Sequence, residues 1–338
     1  MIVVVYGTRP EAIKLASVVK ALKDRGAEVR VVCTGQHREL LEGLMAPDVN
    51  LGLMTVGQTN TEFISRALTV LSHFIKYADM VIVQGDTASA FAGALAAFHR
   101  QIPIAHVEAG LRTYNLQAPF PEEGYRQMID RIATKLYPPT EDALKNLHNE
   151  GLGDWPVTGN TGIDAALKVV REDLGASAVD ADVGKFVLAT IHRREATGAP
   201  AEAIERALVS ISKHIPILMP VHPNGVMSSE PGFMKTCALP YATLIQTLRR
   251  ATFVITDSGG IQEEAATFGI PMLICRTKTE RMQIVKTGGA KLVGFDEDRI
   301  VGEALNLLDP VERALMSFPS NYYGDGRAGE RIAEDLVG

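Results

Sequence analysis

Short apolar runs rich in β-branched residues alternate with amphipathic stretches along the whole chain, and this alternation constrains the fold most strongly. Several runs are apolar at successive positions, which is typical of strands buried on both faces of a parallel sheet. The predicted strands are 2–6, 28–33, 80–84, 102–107, 186–191, 215–221, 253–256 and 270–275, and the predicted helices are 11–24, 61–77, 87–99, 122–134, 201–213 and 241–250. The pattern predicts an α/β fold with doubly wound sheets.

A break in this pattern divides the chain near its middle. Residues 171–185 are charged or small and contain no apolar run, and a fresh β/α series begins at Phe186. The length of 338 residues suits two domains. We therefore predict two Rossmann-like domains with a ligand in the cleft between them, at the carboxyl ends of the strands.

Composition and charge argue against several classes of protein. No apolar stretch reaches the roughly 18 residues of a membrane-spanning helix, and a net charge of −6 without a dense basic run argues against nucleic-acid binding. Three widely spaced cysteines suggest no disulfide framework, and the histidines lack metal-binding spacing. We expect a cytoplasmic protein with no metal and no membrane partner.

A first candidate for anion binding follows the first predicted strand. The sequence Gly-Thr-Arg-Pro-Glu at 7–11 places a proline at a helix start, where free N–H groups favour a phosphate. Arg9 and, about one helical turn further on, Lys14 can face the same anion. The alternative is an ordinary strand-to-helix turn with solvated charges, since a complete dinucleotide fingerprint is absent.

A second candidate turn follows strand 253–256 and opens a helix. Ser258, Gly259 and Gly260 offer hydroxyl and N–H donors where the helix dipole favours a diphosphate. Glu264, further along the helix, can accept hydrogen bonds from ribose hydroxyls. The alternative is a capped helix start without a ligand.

Three acidic residues near predicted strand ends are candidates for proton transfer. Asp86 and Glu108 follow neighbouring runs, and Glu122 opens the next helix. Carboxylates gathered above one sheet edge can act on one carbon, and their mutual influence lets one serve as acid and another as base. Taken singly, Asp86 also suits a helix cap and Glu122 a partner of the helix dipole.

Cations near strand ends complete the candidate set in the second half. His192 and Arg193 directly follow strand 186–191 and can face a phosphate or a leaving group. The alternative for His192 is an ordinary surface histidine. His222, Arg276 and Arg281 also follow strands and are weaker candidates for lining the cleft.

Together these segments resemble the UDP-N-acetylglucosamine 2-epimerase family in its non-hydrolysing, bacterial form. The matching motifs are GTRPEAIKLASVV, TGQHREL, VQGDTASAFAGALAAF, IPIAHVEAGLRT, PFPEEGYRQMIDRIAT, VTGNTGIDA, ATIHRRE and TDSGGIQEEAATFGIPMLICR. The resemblance implies the GT-B architecture, with a first domain at 1–168, a UDP-binding domain at 169–324 and a returning C-terminal helix at about 325–338. It also implies a homodimer that serves surface polysaccharide synthesis.

The family's reaction inverts C2 of a UDP-sugar without a cofactor or a metal. Elimination of UDP gives a glycal, and re-addition converts UDP-GlcNAc into UDP-ManNAc. By resemblance, Asp86, Glu108 and Glu122 carry the proton transfers and His192 assists the diphosphate. The implied binding residues are Arg9, Lys14, Ser258, Gly259 and Gly260 for the diphosphate, Glu264 for ribose, and Gln36, Arg112, Arg193, His222, Arg276 and Arg281 as candidate contacts with substrate or activator.

The chain departs from the family pattern at several places. Ala196 replaces the Asn of HRREN, and the TERPE motif becomes Thr-Glu-Arg-Met-Gln at 279–283. Glu39 and Gly57 stand where members with a second, activating UDP-GlcNAc often have Gln and Arg, and the segment 43–56 is short.

Three alternatives to the main interpretation stay open. A hydrolysing epimerase would release UDP and free ManNAc. The altered segment 278–283 leaves room for a related UDP-diacetamido sugar. A GT-B glycosyltransferase would need an acceptor site and would not need three carboxylates at the sugar.

Overall fold

The computed structural model describes residues 1–36, 45–55, 57–180, 184–191, 198–221, 229–230, 232–279 and 281–338. The chain forms two compact units, Met1–Ala165 together with Tyr323–Gly338, and Ala166–Tyr322. Its elements in chain order are β1 (Ile2–Tyr6), α1 (Arg9–Asp24), β2 (Val29–Cys33), β3 (Val49–Asn50), α2 (Asn60–Phe74), β4 (Met80–Gln84), α3 (Ala88–His99), β5 (Ile104–Val107), α4 (Glu122–Ile132), β6 (Lys135–Tyr137), α5 (Glu141–Asn149), α6 (Thr161–Arg171), β7 (Val187–Thr190), α7 (Ala199–Ser212), β8 (Ile217–Pro220), β9 (Ser229–Glu230), β10 (Phe233–Thr236), α8 (Tyr241–Arg250), β11 (Phe253–Thr256), α9 (Gly259–Phe268), β12 (Met272–Ile274), α10 (Met282–Lys286), β13 (Ala290–Leu292), α11 (Glu297–Asn306), α12 (Pro310–Met316) and α13 (Ala328–Val337).

The first unit is built on a parallel sheet with the order β3-β2-β1-β4-β5-β6. In its centre Val4 pairs with Val31 on one side and with Ile82 on the other. All five residues of β1 are buried, because α1 and α13 cover one face of the sheet while α2 and α3 cover the other. This burial explains the uninterrupted apolar run at 2–6.

The second unit repeats the same winding around its own core. Its sheet has the order β13-β12-β11-β7-β8-β10-β9, and all pairs are parallel except the short β9 against β10. In each unit the chain adds strands on one side of its first strand, β1 or β7, and then on the other side. This order defines a doubly wound Rossmann-like sheet. The α/β prediction is therefore confirmed. Among the described residues, no helix combines the length and apolar character needed to cross a membrane.

The C-terminal helix α13 is part of the first unit, where it packs on α1. The Asp164 carboxylate accepts hydrogen bonds from the backbone N–H of Ala328 at 3.0 Å and of Gly329 at 2.7 Å. A Cβ atom at Gly329 would lie 2.6 Å from the carbonyl carbon of Ser17, so only glycine permits this approach of the two helices. The chain terminus is thus held by hydrogen bonds and by close backbone packing.

We expect Gly329→Ala to destabilise the protein by about 1–3 kcal/mol, because the added methyl group must push α13 away from α1. The control is Gly302→Ala in α11, an exposed helical glycine whose Cβ would meet nothing within 4 Å. There alanine should stabilise the protein by up to about 1 kcal/mol. Urea denaturation measures both free energies of unfolding, and a Gly329→Ala variant as stable as wild type would contradict this packing argument.

Candidate functional site

The strand order of the first sheet brings three of the predicted turns to one edge. β1, β4 and β5 are successive neighbours and run parallel, so their carboxyl ends lie side by side. Arg9, Asp86 and Glu108 follow these three strands and come from separate parts of the chain. The sheet therefore assembles one polar cluster from Asp86 and Glu108, which the sequence predicts at one sheet edge, and from the neighbouring turn that holds Arg9.

Glu108 occupies the most constrained position of this cluster. Its φ of +68° lies in the left-handed region, which costs a residue with a side chain about 1–3 kcal/mol. Lys14 Nζ lies 2.7 Å and 2.5 Å from its two carboxylate oxygens, and the Gln84 carboxamide also donates to the carboxylate. Glu108 is 8% exposed, so this buried charge is paired and hydrogen-bonded.

Asp86 is held by a cation from a different element. The Arg126 guanidinium of α4 donates to Asp86 Oδ2, and it also lies 3.3 Å from the buried carboxylate of Glu123. Glu122 precedes Arg126 by four residues and therefore shares its face of the helix. The Glu122 side chain is half-buried, and the described residues offer its carboxylate no hydrogen bond.

The turn after β1 binds an acid of the chain itself. Glu11 Oε2 accepts hydrogen bonds from the N–H groups of Gly7 at 3.1 Å and Thr8 at 2.8 Å, and from Thr8 Oγ1 at 2.7 Å. Its other oxygen accepts from Thr87 Oγ1 at 2.8 Å, beside Asp86. Glu11 therefore occupies the donors that would face a phosphate in an open turn.

Sequence reasoning did not select Glu11 as a functional residue, although the spacing Thr8-x-x-Glu11 is the signal of a capping box. Burial raises the pKa of the Glu11 carboxyl to about 7, against the opposing effect of its hydrogen bonds. The cations predicted for this turn are placed as follows: Arg9 is half-buried at the start of α1, and Lys14 pairs with Glu108. Their contact with a diphosphate stays a prediction.

The N-terminus of α9 in the second unit differs from that of α1. Ser258 is the N-cap residue, and its side chain makes no capping hydrogen bond. A Cβ atom at Gly259 would lie 2.6 Å from a guanidinium nitrogen of Arg281, so glycine lets this cation lie against the helix end. Arg281 Nε donates to Glu263 at 2.7 Å. A cation beside the positive end of a helix favours an anionic ligand.

Glu264, the predicted ribose-binding residue, is buried farther along α9. Tyr241 at the start of α8 donates its hydroxyl to Glu264 Oε1 at 2.7 Å. Nearby, Thr279 Oγ1 donates to Gln262 Oε1 at 2.9 Å and connects the segment after β12 to the same helix. Arg276, in that segment, is also buried. No sequence motif marks Tyr241 as a functional residue.

The remaining candidates are placed as follows. Gln36 is half-buried and accepts a hydrogen bond from Ser89 Oγ at 2.8 Å. The Arg112 side chain is fully buried between Asp130 and Glu150, and its contact with a ligand stays a prediction. Outside the described residues lie His192, Arg193, His222, Glu39, Ala196 and Glu280. Gly57 is exposed, with a φ of +79°.

Comparison with known proteins gives one consistent result. A family model described as UDP-N-acetylglucosamine 2-epimerase matches residues 20–337. The protein of that name from Escherichia coli is 41% identical, in an alignment that covers 99% of this chain and 98% of that protein.

Solved structures agree with the sequence comparison. UDP-GlcNAc 2-epimerase from Neisseria meningitidis, bound to UDP-GlcNAc, has a TM-score of 0.94 and 33% identity and covers 99% of both chains. The enzyme from Methanocaldococcus jannaschii, in complex with UDP-GlcNAc and UDP, has a TM-score of 0.86 and 29% identity, with 99% of this chain and 98% of that chain covered. The prediction of the GT-B fold class is confirmed.

The raised pKa of Glu11 predicts a pH-dependent stability. An acid that binds its proton more tightly in the folded protein makes the folded state less stable as pH rises from its ordinary pKa of 4.5 to about 7. We expect the free energy of unfolding of wild type to fall by up to about 3 kcal/mol, relative to that of Glu11→Gln, across this range. Urea denaturation at several pH values measures the difference.

Glu62 provides a matched control, because it forms the same Thr-x-x-Glu capping box with Thr59 at the exposed first turn of α2. There the backbone N–H of Thr59 lowers the pKa of the Glu62 carboxyl. The difference in free energy of unfolding between wild type and Glu62→Gln should therefore stay constant above pH 4.5 and shrink below it. If the stability difference between wild type and Glu11→Gln followed the same pH dependence, burial would not control the pKa of Glu11.

Proposed function

The chain belongs to the UDP-N-acetylglucosamine 2-epimerase family, and from this premise we propose that it interconverts UDP-GlcNAc and UDP-ManNAc. The observation that carries the proposal is the pair of acids at adjacent strand ends. Glu108 is held by Lys14 and Asp86 by Arg126. Epimerisation at a sugar carbon needs acids and bases placed around one atom, and two acids at adjacent strand ends support this proposal.

The proposed reaction proceeds by elimination and re-addition. A carboxylate takes the proton from C2, the C1–O bond breaks, and its electron pair leaves with UDP to give a glycal. UDP oxygen then re-forms the bond at C1 while a proton reaches C2 on the opposite face. Asp86, Glu108 and Glu122 share these proton transfers, because proton removal and return at opposite faces require more than one group.

The departing UDP needs stabilisation of its developing negative charge. We assign this role to the N-terminus of α9, where Ser258, Gly259 and Gly260 present donors and Arg281 adds a cation. Glu264, oriented by Tyr241, is the proposed ligand of the ribose hydroxyls. His192, from the family resemblance, is proposed to assist the diphosphate. The relatives solved with UDP-GlcNAc or UDP support this choice of ligand.

Three further properties are proposed from the family resemblance. The protein is expected to act as a homodimer, in the cytoplasm, and to serve surface polysaccharide synthesis. Size-exclusion chromatography with light scattering tests the first of these.

Incubation with UDP-GlcNAc in D2O, followed by NMR of every product, tests the reaction. We expect deuterium at C2 and accumulation of UDP-ManNAc. Free ManNAc with stoichiometric UDP would instead identify a hydrolysing enzyme, and UDP release that depends on an added acceptor would identify a glycosyltransferase. Binding of UDP-GlcNAc without exchange at C2 would overturn the proposal.

Glu108→Gln tests the role of the strained acid. We expect kcat to fall by about 10²–10⁴-fold, because the amide cannot exchange a proton with C2. Binding of UDP, measured by calorimetry, should be unchanged. The matched control is Glu312→Gln on the exposed surface of α12, which should keep wild-type kcat. A Glu108→Gln variant with wild-type turnover would exclude this residue from the proton transfers.

A further inference from the structure

His106 lies fully buried in β5, two residues before Glu108, and both of its ring nitrogens are engaged. Nδ1 lies 2.6 Å from Oδ1 of Asp130 in α4, and Nε2 lies 2.8 Å from the carbonyl oxygen of Gly85. Both partners are oxygen atoms of other elements, so the ring bridges them through its two nitrogens. One side chain thus connects two neighbouring strand ends to a helix.

Asp130 extends this connection to the turn after Glu108. Its second oxygen, Oδ2, accepts from the N–H of Gly110 at 3.0 Å and from Arg112 Nη1 at 2.7 Å. Burial opposes ionisation of Asp130, yet the facing His106 and Arg112 hold the pKa of its carboxyl below the usual range. The carboxylate is therefore charged and holds the ring and the turn together.

Arg112 closes the network on its outer side. Its Nε and Nη2 atoms donate to the two carboxylate oxygens of Glu150 at 2.7 Å and 2.8 Å, and Nη1 also donates to the carbonyl of Leu111 at 2.9 Å. A forked pair of this kind fixes orientation as well as distance. Four side chains, His106, Asp130, Arg112 and Glu150, thus form one continuous network beneath the two turns.

The backbone groups that this network holds are adjacent to the proposed catalytic acids. Gly85 directly precedes Asp86, and Gly110 follows Glu108 by two residues. We propose that His106 is a positioning residue for the reaction, since it fixes the Gly85 carbonyl and, through Asp130, the Gly110 N–H. This inference rests on the proposed function, because it assumes that Asp86 and Glu108 transfer protons at C2.

Two substitutions separate the two bonds of the ring. The amide nitrogen of His106→Asn can replace Nδ1 and keep the contact with Asp130, but it leaves the Gly85 carbonyl without its donor. The amide nitrogen of His106→Gln can replace Nε2 and keep the contact with Gly85. A residue that only supported the fold would change the stability of the protein and leave the folded molecules fully active.

We expect His106→Asn to lower kcat by about 100-fold with unchanged KM, because a displacement near 1 Å at a catalytic group costs about this much. His106→Gln should recover part of the lost kcat, while both variants keep the wild-type affinity for UDP. The matched control is His148→Asn, at an exposed histidine that pairs with Asp154 at 3.0 Å and should stay fully active.

Exchange of the C2 proton with D2O, together with circular dichroism of each variant, distinguishes the outcomes. A folded His106→Asn variant with wild-type kcat, or a rise in KM that accounts for the whole loss, would overturn the inference. If His106→Asn fails to fold, Asp130→Asn should show the same loss of kcat; if neither folds, the network is structural and the inference is wrong. Absence of exchange in wild type would overturn the proposed function, and this inference with it.

Discussion

Parallel alignment of the strands is the constraint on which the candidate site depends. β1, β4 and β5 pair in register inside a sheet that is covered by helices on both faces. A shift of one residue would turn buried side chains to the opposite face, so the core fixes the register. The positions of Asp86 and Glu108 are therefore set by packing beneath them, without a bond between the two acids.

The strand-to-helix turns after β1 and after β11 are satisfied in different ways. In the first unit the Glu11 carboxylate occupies the N–H groups at the start of α1, so the turn is satisfied by the chain itself. In the second unit the guanidinium of Arg281 lies against Gly259 at the start of α9, where it is also paired with the Glu263 carboxylate. One turn is thus occupied by an acid of the chain, whereas the other has a guanidinium beside its N-terminal glycine.

The sequence predicts those features that depend on local pattern. The strand 253–256 and the start of α4 at Glu122 agree with the structure, because periodicity and flanking residues define them. The strands β3, β6 and β13 were missed, since two or three residues carry too little periodic signal.

The partners of the acids were also missed, for a different reason. Arg126 is 40 residues from Asp86, and Lys14 is 94 residues from Glu108, so only the sheet order brings each pair together. Helical spacing between Glu122 and Arg126 was a usable signal for one of them. No sequence signal indicated the left-handed backbone of Glu108, because its sequence neighbours are those of an ordinary strand end.

Stability alone does not explain the polar network beneath the site. Replacing a buried ion pair with apolar residues of similar volume is often neutral or stabilising, so His106, Asp130 and Arg112 are an unfavourable choice for filling space. Hydrogen bonds, however, fix the direction of a carbonyl or N–H group, whereas apolar packing fixes only its volume. The strained φ of Glu108 supports the same conclusion, because such a conformation persists only where surrounding contacts hold it in place. Beneath these two turns, the fold therefore favours defined backbone orientation over maximal stability.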